Sequence, residues 1–158
     1  MEDAENDIDF DFDVFLPSIG KNLQRPFVWS LFQKQQLIHT VLKENTIGNI
    51  SVIKLYKPYL LITEKLRYQV IDGKQRLSTL LGFVKDEFPL EWNGKNYLYS
   101  ELADSDMYCI NCINLKFNVV IDREKNPITD EQKINWFEMI NFAGTPQDMQ
   151  YMEKLKIK

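Results

Sequence analysis

Along residues 8–14, Ile8, Phe10, Phe12 and Val14 alternate with Asp9, Asp11 and Asp13. A period of two predicts a half-buried strand with a charged outer face, suited to the edge of a sheet. "LPSIGKN" then predicts a loop, and "LQRPFVWS" an extended stretch, because Pro26 turns Arg25 away from helix. Ser30 is a candidate N-cap for a helix from Leu31 to about Lys43, with Leu31, Ile38, Val41 and Leu42 on its buried side. Gly48 ends the turn that follows. "ISVIKLY" and "RYQVI" predict two strands, separated by "KPYLLITEK", whose middle can extend either one. Behind Asp72-Gly73, a spacing of i, i+3, i+4, i+7 for Leu77, Leu80, Leu81 and Val84 predicts the clearest helix of the chain, with Arg76 and Thr79 on its other face. "LEWNGKNYL" predicts an Asn-Gly hairpin. "CINLKFNVVI" predicts a strand with Ile113, Leu115, Phe117, Val119 and Ile121 on one face. Asp130 begins a helix to about Phe142, and "GTPQDMQYMEKLK" another, with Thr145 as cap and Pro146 at its first position. Helices interleaved among short strands predict a mixed α+β domain.

Composition adds limits. A chain of 158 residues, 44% hydrophobic and 13% aromatic, suits one packed domain, over 16–158, behind an acidic leader at 1–15 that includes the possible edge strand. No apolar run approaches the roughly 18 residues of a membrane span. The acidic N-terminus is neither a secretory nor a mitochondrial signal. The expectation is a soluble, cytoplasmic protein with no membrane partner. The net charge of −4 hides an asymmetry: residues 1–13 hold seven acids and no base, leaving 16 acids against 19 bases in the remainder. A mildly basic body is compatible with a polyanionic ligand, and the leader is equally read as solvated chain. Cys109 and Cys112 form one C-x2-C pair, without the second pair that structural zinc needs, and are read as ordinary half-buried thiols. His39 is the one histidine, so no Ser-His-Asp or Cys-His arrangement is suggested.

The candidate chemistry lies at the predicted strand-to-helix joint, "VIDGKQRLSTLLGFV". A helix N-terminus exposes backbone N–H groups and the positive end of the dipole, and so attracts anions. Gly73 lets the backbone approach a ligand. Arg76 can fork onto two phosphate oxygens, and Lys74 supplies a point charge. Gln75 suits a phosphate oxygen or an attacking water. Asp72 suits a metal carried with phosphates, the orientation of Arg76, or the positioning of a water. The stretch lacks G-x4-G-K-[ST], so it is not a Walker A loop. The same residues are also what a plain turn and a solvated helix face require.

Upstream, Gln24, Arg25 and Trp29 stand in "LQRPFVWS", and the helix after them leads into "IGNISV". The pattern Q-R-x-F-x-W, helix, I-G-x-I, strand, and then I-D-G-K-Q-R-L-S-T-L resembles the N-terminal domain of GmrSD-type modification-dependent restriction proteins, shared with SspE-type phosphorothioate-sensing proteins. The resemblance spans roughly residues 8 to 156 and is strongest over 23–84. Lys74 replaces the first glutamine of the family's D-G-Q-Q-R motif. "WFEMINFAGTPQ" resembles a later family segment in which an asparagine follows a helix, matched by Asn141. The resemblance implies a ParB/sulfiredoxin-like fold: a small mixed sheet with interleaved helices. It implies nucleotide binding and, in several members, metal-dependent nucleoside-triphosphate hydrolysis. By position, Asp72, Gln75 and Arg76 inherit the catalytic role. Gln24, Arg25, Gly73, Lys74, Arg76 and Asn141 inherit phosphate or nucleotide binding. Asp72 would hold the divalent ion, expected to be Mg2+. Lys74 can strengthen phosphate binding while altering how water or metal is held. Trp29 is open between stacking on a base and anchoring the core. Arg25 is open between the pocket and a surface ion pair. Asn141 is open between the ligand and a helix C-cap.

Full-length members join this domain to an HNH nuclease, which needs histidines beyond His39; a stand-alone domain without that half is expected. The first reading is therefore a nucleotide-binding domain, with weak NTPase activity as its enzymatic form. The second is a non-catalytic DNA-associated or protein-interaction module, such as a phage or mobile-element regulator, with DNA or a separate nuclease or defence protein as partner. In that reading the acidic strand imitates phosphates or covers a basic pocket. A ParB-like nuclease ranks third, because no separate carboxylate cluster is present.

Overall fold

A computed structural model describes residues 8–56 and 66–142. The predicted helix after Thr145, the whole of "KPYLLITEK" and the first half of the acidic leader lie outside the described residues. In chain order the elements are β1 (Ile8–Asp11), β2 (Phe15–Leu16), β3 (Lys21–Asn22), α1 (Leu31–Leu42), β4 (Ile50–Lys54), β5 (Leu66–Asp72), α2 (Lys74–Val84), β6 (Leu90–Trp92), β7 (Lys95–Tyr97), α3 (Asp104–Asn111), β8 (Phe117–Ile121) and α4 (Asp130–Phe142). The α+β class expected from the chain's patterning is the class observed. Among the described residues no helix is long and apolar enough to cross a membrane.

The described residues form two compact units, one of 8–26, 51–56, 66–72 and 118–142, the other of 27–50 and 73–117. The first carries most of a mixed sheet of order β1-β5-β4-β8. β1 runs parallel to β5, and β4 antiparallel to it. β4 is buried along Ile50–Ile53, as a strand covered on both faces should be. β1 is an outer strand among the described residues, in keeping with its charged face. Asp9 pairs with Arg67 at 3.0 Å, and Phe10 lies ring to ring with Tyr68 at 5.9 Å. Val14, Leu16, Leu23, Ile53, Ile71 and Phe137 form this unit's core. The predicted loop at "LPSIGKN" contains the small β2-β3 hairpin.

The second unit packs α1, α2, α3 and the β6-β7 hairpin around Leu37, Ile38, Val41, Leu80, Phe83, Phe88, Leu90, Leu102 and Ile110. Ser30 caps α1 in a full capping box: its Oγ accepts from Gln33 N, and Gln33 Oε1 accepts from Ser30 N. Leu31, expected inside, is 47% exposed at the first turn, and Leu37 takes the buried place. Thr79, expected on the outer face of α2, is buried, its Oγ1 donating to Gln75 O at 2.7 Å. The Asn93-Gly94 turn has positive φ at both residues, as a tight hairpin demands. Asp86 accepts from Ser100 N at 2.9 Å, and hydrogen bonds from Ser100 hold its carboxyl below the ordinary aspartate range.

Two expectations are corrected here. Residues 113–116 are not strand; β8 starts at Phe117 and is exposed throughout. Before it lies α3, absent from the sequence reading, with Cys109 in its last turn and Cys112 as its C-cap. Both thiols are free, Cys109 half-buried and Cys112 exposed. His39 stacks on Trp92 at 5.3 Å, a packing role.

Ser30→Ala removes the half of the capping box in which Ser30 Oγ accepts from Gln33 N, and leaves the backbone N–H of residue 30 on Gln33 Oε1. It is expected to lower unfolding stability by about 1 kcal/mol in urea titration, with an unchanged slope.

Candidate functional site

β5 reaches the joint through an irregularity. Ser51 pairs with Asp72 but Val52 with Val70, so Ile71 is an extra residue on β5 just before Asp72. A bulge of this kind bends a strand and re-aims the side chain at its end. β5 stops at half-buried Asp72, and Gly73 follows with φ +94°, as N-cap of α2. A side chain is disfavoured there twice over. The dihedral is left-handed, and a Cβ would lie 3.0 Å from Ile50 Cγ1 and 3.4 Å from Arg76 Nη2. With glycine as cap, no side chain closes the first turn of α2, and that turn holds no acid.

α2's first turn draws in both flanks of α1. Before α1, the amide of Val28 donates to Gln75 Oε1 at 3.1 Å. Behind it, Arg76 Nη1 donates to the carbonyl of Ile47 at 2.7 Å. Gly48 beside it has φ +80°, and a Cβ there would lie 2.7 Å from the same Nη1. The guanidinium thus lies against two glycine α-carbons, Gly48 and Gly73, from segments about 25 residues apart. Lys74 is 5% exposed, so its stem is enclosed at the first position of the helix. Lys34 Nζ sits over Phe27 at 4.9 Å and over Phe88 at 5.0 Å, which steadies the strand-like lead into α1.

The predicted site residues divide between the units. Gly73, Lys74, Gln75, Arg76 and Trp29 belong to the second. Trp29 is half-buried against its core, and Gln75 is bonded to the residue before it. Gln24, Arg25, Asp72 and Asn141 belong to the first. Gln24 is buried and its Nε2 donates to Val70 O, two residues before Asp72. Arg25 is half-buried. Asn141 lies inside α4, not at its cap, and its Nδ2 donates to Phe137 O at 2.7 Å, one turn back. Ile47 and Gly48 carry part of the geometry but were absent from the predicted site residues. The signal for them was a glycine standing alone between a helix and a buried strand, "IGNISV".

For a divalent ion, the donor set at the joint is one carboxylate, Asp72. Among the described residues no three His, Cys, Asp or Glu side chains gather as a metal site. One carboxylate fits an ion whose remaining ligands are phosphate oxygens and water, the usual coordination of magnesium with a nucleotide.

These features define an α+β domain with a basic, glycine-lined strand-to-helix joint. The chain belongs to a family described as the GmrSD restriction endonuclease N-terminal domain, matched over residues 14–156. That span contains every candidate residue named above. No curated protein matches the chain, and no solved structure does.

Gly48→Ala should displace the Arg76 guanidinium and strain the backbone, lowering stability by about 1–3 kcal/mol. In an Arg76→Ala background only the backbone strain remains. The same change should then cost less, and a double-mutant cycle by urea unfolding reads the difference.

Proposed function

We propose that the chain binds a nucleoside triphosphate at the start of α2 and serves as a nucleotide-responsive regulatory domain of a restriction system. The observation that carries this reading is the Arg76 guanidinium, fixed by Ile47 O against Gly48 and Gly73 at an N-terminus with no side-chain cap. A guanidinium held in a fixed orientation by a backbone carbonyl is suited to planar, charge-assisted contact with a phosphate. The first-turn amides of α2 and its dipole favour the same anion. Lys74, enclosed beside them, adds charge at short range. Asp72 directly precedes Gly73 and would hold Mg2+, which supplies charge neutralisation of the phosphates. Gln24 braces the end of β5 by donating to Val70 O, two residues before Asp72; Arg25 and Asn141 belong to this reading through the sequence resemblance. The ParB/sulfiredoxin-like fold implied by the sequence resemblance belongs to this reading.

Binding ranks ahead of turnover for a specific reason. The Gln75 Oε1 that would hold an attacking water already accepts the Val28 N–H. The second reading, a module that works through binding DNA or a separate nuclease without hydrolysis, is favoured by that same bond.

Titration calorimetry with ATP, GTP, CTP and UTP, with and without magnesium, tests the reading. At least one nucleotide should bind, and Arg76→Ala should weaken it by about tenfold or more, the effect of losing one charge-assisted contact. Arg76→Lys, which keeps the charge without the fork, should fall between the two. No binding by any of the four, or full affinity in folded Arg76→Ala, would overturn it.

A further inference from the structure

The one residue step from Val28 to Trp29 leads from the Gln75 contact to a groove along α1. Trp29, Gln33, Gln36, Leu37 and Thr40 line it, a shallow groove of about 310 Å³ that is open to solvent along one side. All five belong to the second unit. We infer that this groove is the subsite for the nucleobase of the bound nucleotide, an inference that rests on the nucleotide reading above.

Its chemistry is neutral and two-sided. No charged side chain lines it. The Trp29 indole and Leu37 give it an apolar wall and floor suited to a planar ring. Gln33 is held by the capping box through its Oε1, so its Nε2 is aimed by the same contact and has no hydrogen-bond partner among the described residues. The Gln36 carboxamide, donor and acceptor together, is likewise unengaged by any described residue, while its backbone carbonyl accepts from Thr40 Oγ1 at 2.8 Å. Thr40 therefore has its hydroxyl proton committed and presents lone pairs to the groove. A planar ligand edged with both donors and acceptors matches this set, and a carboxamide reads such an edge in bidentate fashion. A phosphate does not match it. The charged part of a nucleotide is accommodated at Arg76 and the α2 amides, and Gln75 ties that end to the segment that begins the groove.

The test compares inorganic tripolyphosphate with ATP, GTP, CTP and UTP by calorimetry on the full chain and on Trp29→Phe, Trp29→Ala and Gln36→Ala. Gln36 is exposed, so its variant should fold whether or not Trp29→Ala does. In the unaltered chain the best nucleotide should bind about tenfold or more tighter than tripolyphosphate, the gain from one stacked base. Gln36→Ala should narrow that gap and alter the preference among the four bases, Trp29→Ala should close it, and Trp29→Phe should retain most of it. Tripolyphosphate affinity should stay constant throughout. Tripolyphosphate binding with no gap, or with a gap unmoved by Trp29→Ala and Gln36→Ala, would overturn the base subsite and leave the phosphate site standing. Failure of tripolyphosphate and nucleotides alike would overturn both.

Discussion

The hydrogen bond from Arg76 to the carbonyl of Ile47 is the contact around which the second unit's joint is arranged. A carbonyl just beyond a helix and its connecting turn needs a donor, and a guanidinium supplies it with charge. The geometry works because neither Gly48 nor Gly73 carries a Cβ. A methyl at Gly48 would press on the arginine, and one at Gly73 would press on Ile50. With the opposite flank of α1 held through Val28 and Gln75, the first turn of α2 becomes the place where the lead into α1, the turn out of it and β4's first residue converge. The same side chains are structural and chemically suited to an anion, and one role assists the other. A guanidinium oriented by the fold needs little reordering when a phosphate arrives.

Local signals were legible wherever a residue's neighbours in sequence decide its structure. Ser30 as a cap, the leucine spacing of α2, Asn93-Gly94 and the start of α4 at Asp130 are all short-range patterns, and each produced its element. β8 misled, because alternation from Ile113 to Ile121 implies one covered face, whereas its strand residues are exposed throughout. The α3 segment has few apolar positions, with Ile110 its buried residue. Its N-terminal signal was Asp104 and Asp106 in the first turn, the acids that suit a helix dipole.

The candidate site was legible in its residue types but not in its contacts. Arg76 and Ile47 are 29 residues apart, Gln75 and Val28 47, Gln24 and Val70 46. No periodicity connects such pairs. The bulge at Ile71 depends on the pairing register with β4, which neither strand encodes alone. Leu31 and Thr79 show the remaining limit. A helix wheel orders the faces of one helix, and its neighbours decide which margin of a face is covered. The family membership agrees with the resemblance read from Q-R-x-F-x-W and D-G-K-Q-R, and covers nearly the same span, residues 14–156.

The most direct test of a nucleotide site at the α2 start is an amide chemical-shift map of the nitrogen-15-labelled protein, titrated with magnesium nucleotide. Saturable shifts should centre on Gly73 to Leu77 and include Val28 and Gly48, the two flanks fastened to that turn. A titration that moves none of these amides, or that moves only surfaces remote from them such as β8, would contradict it.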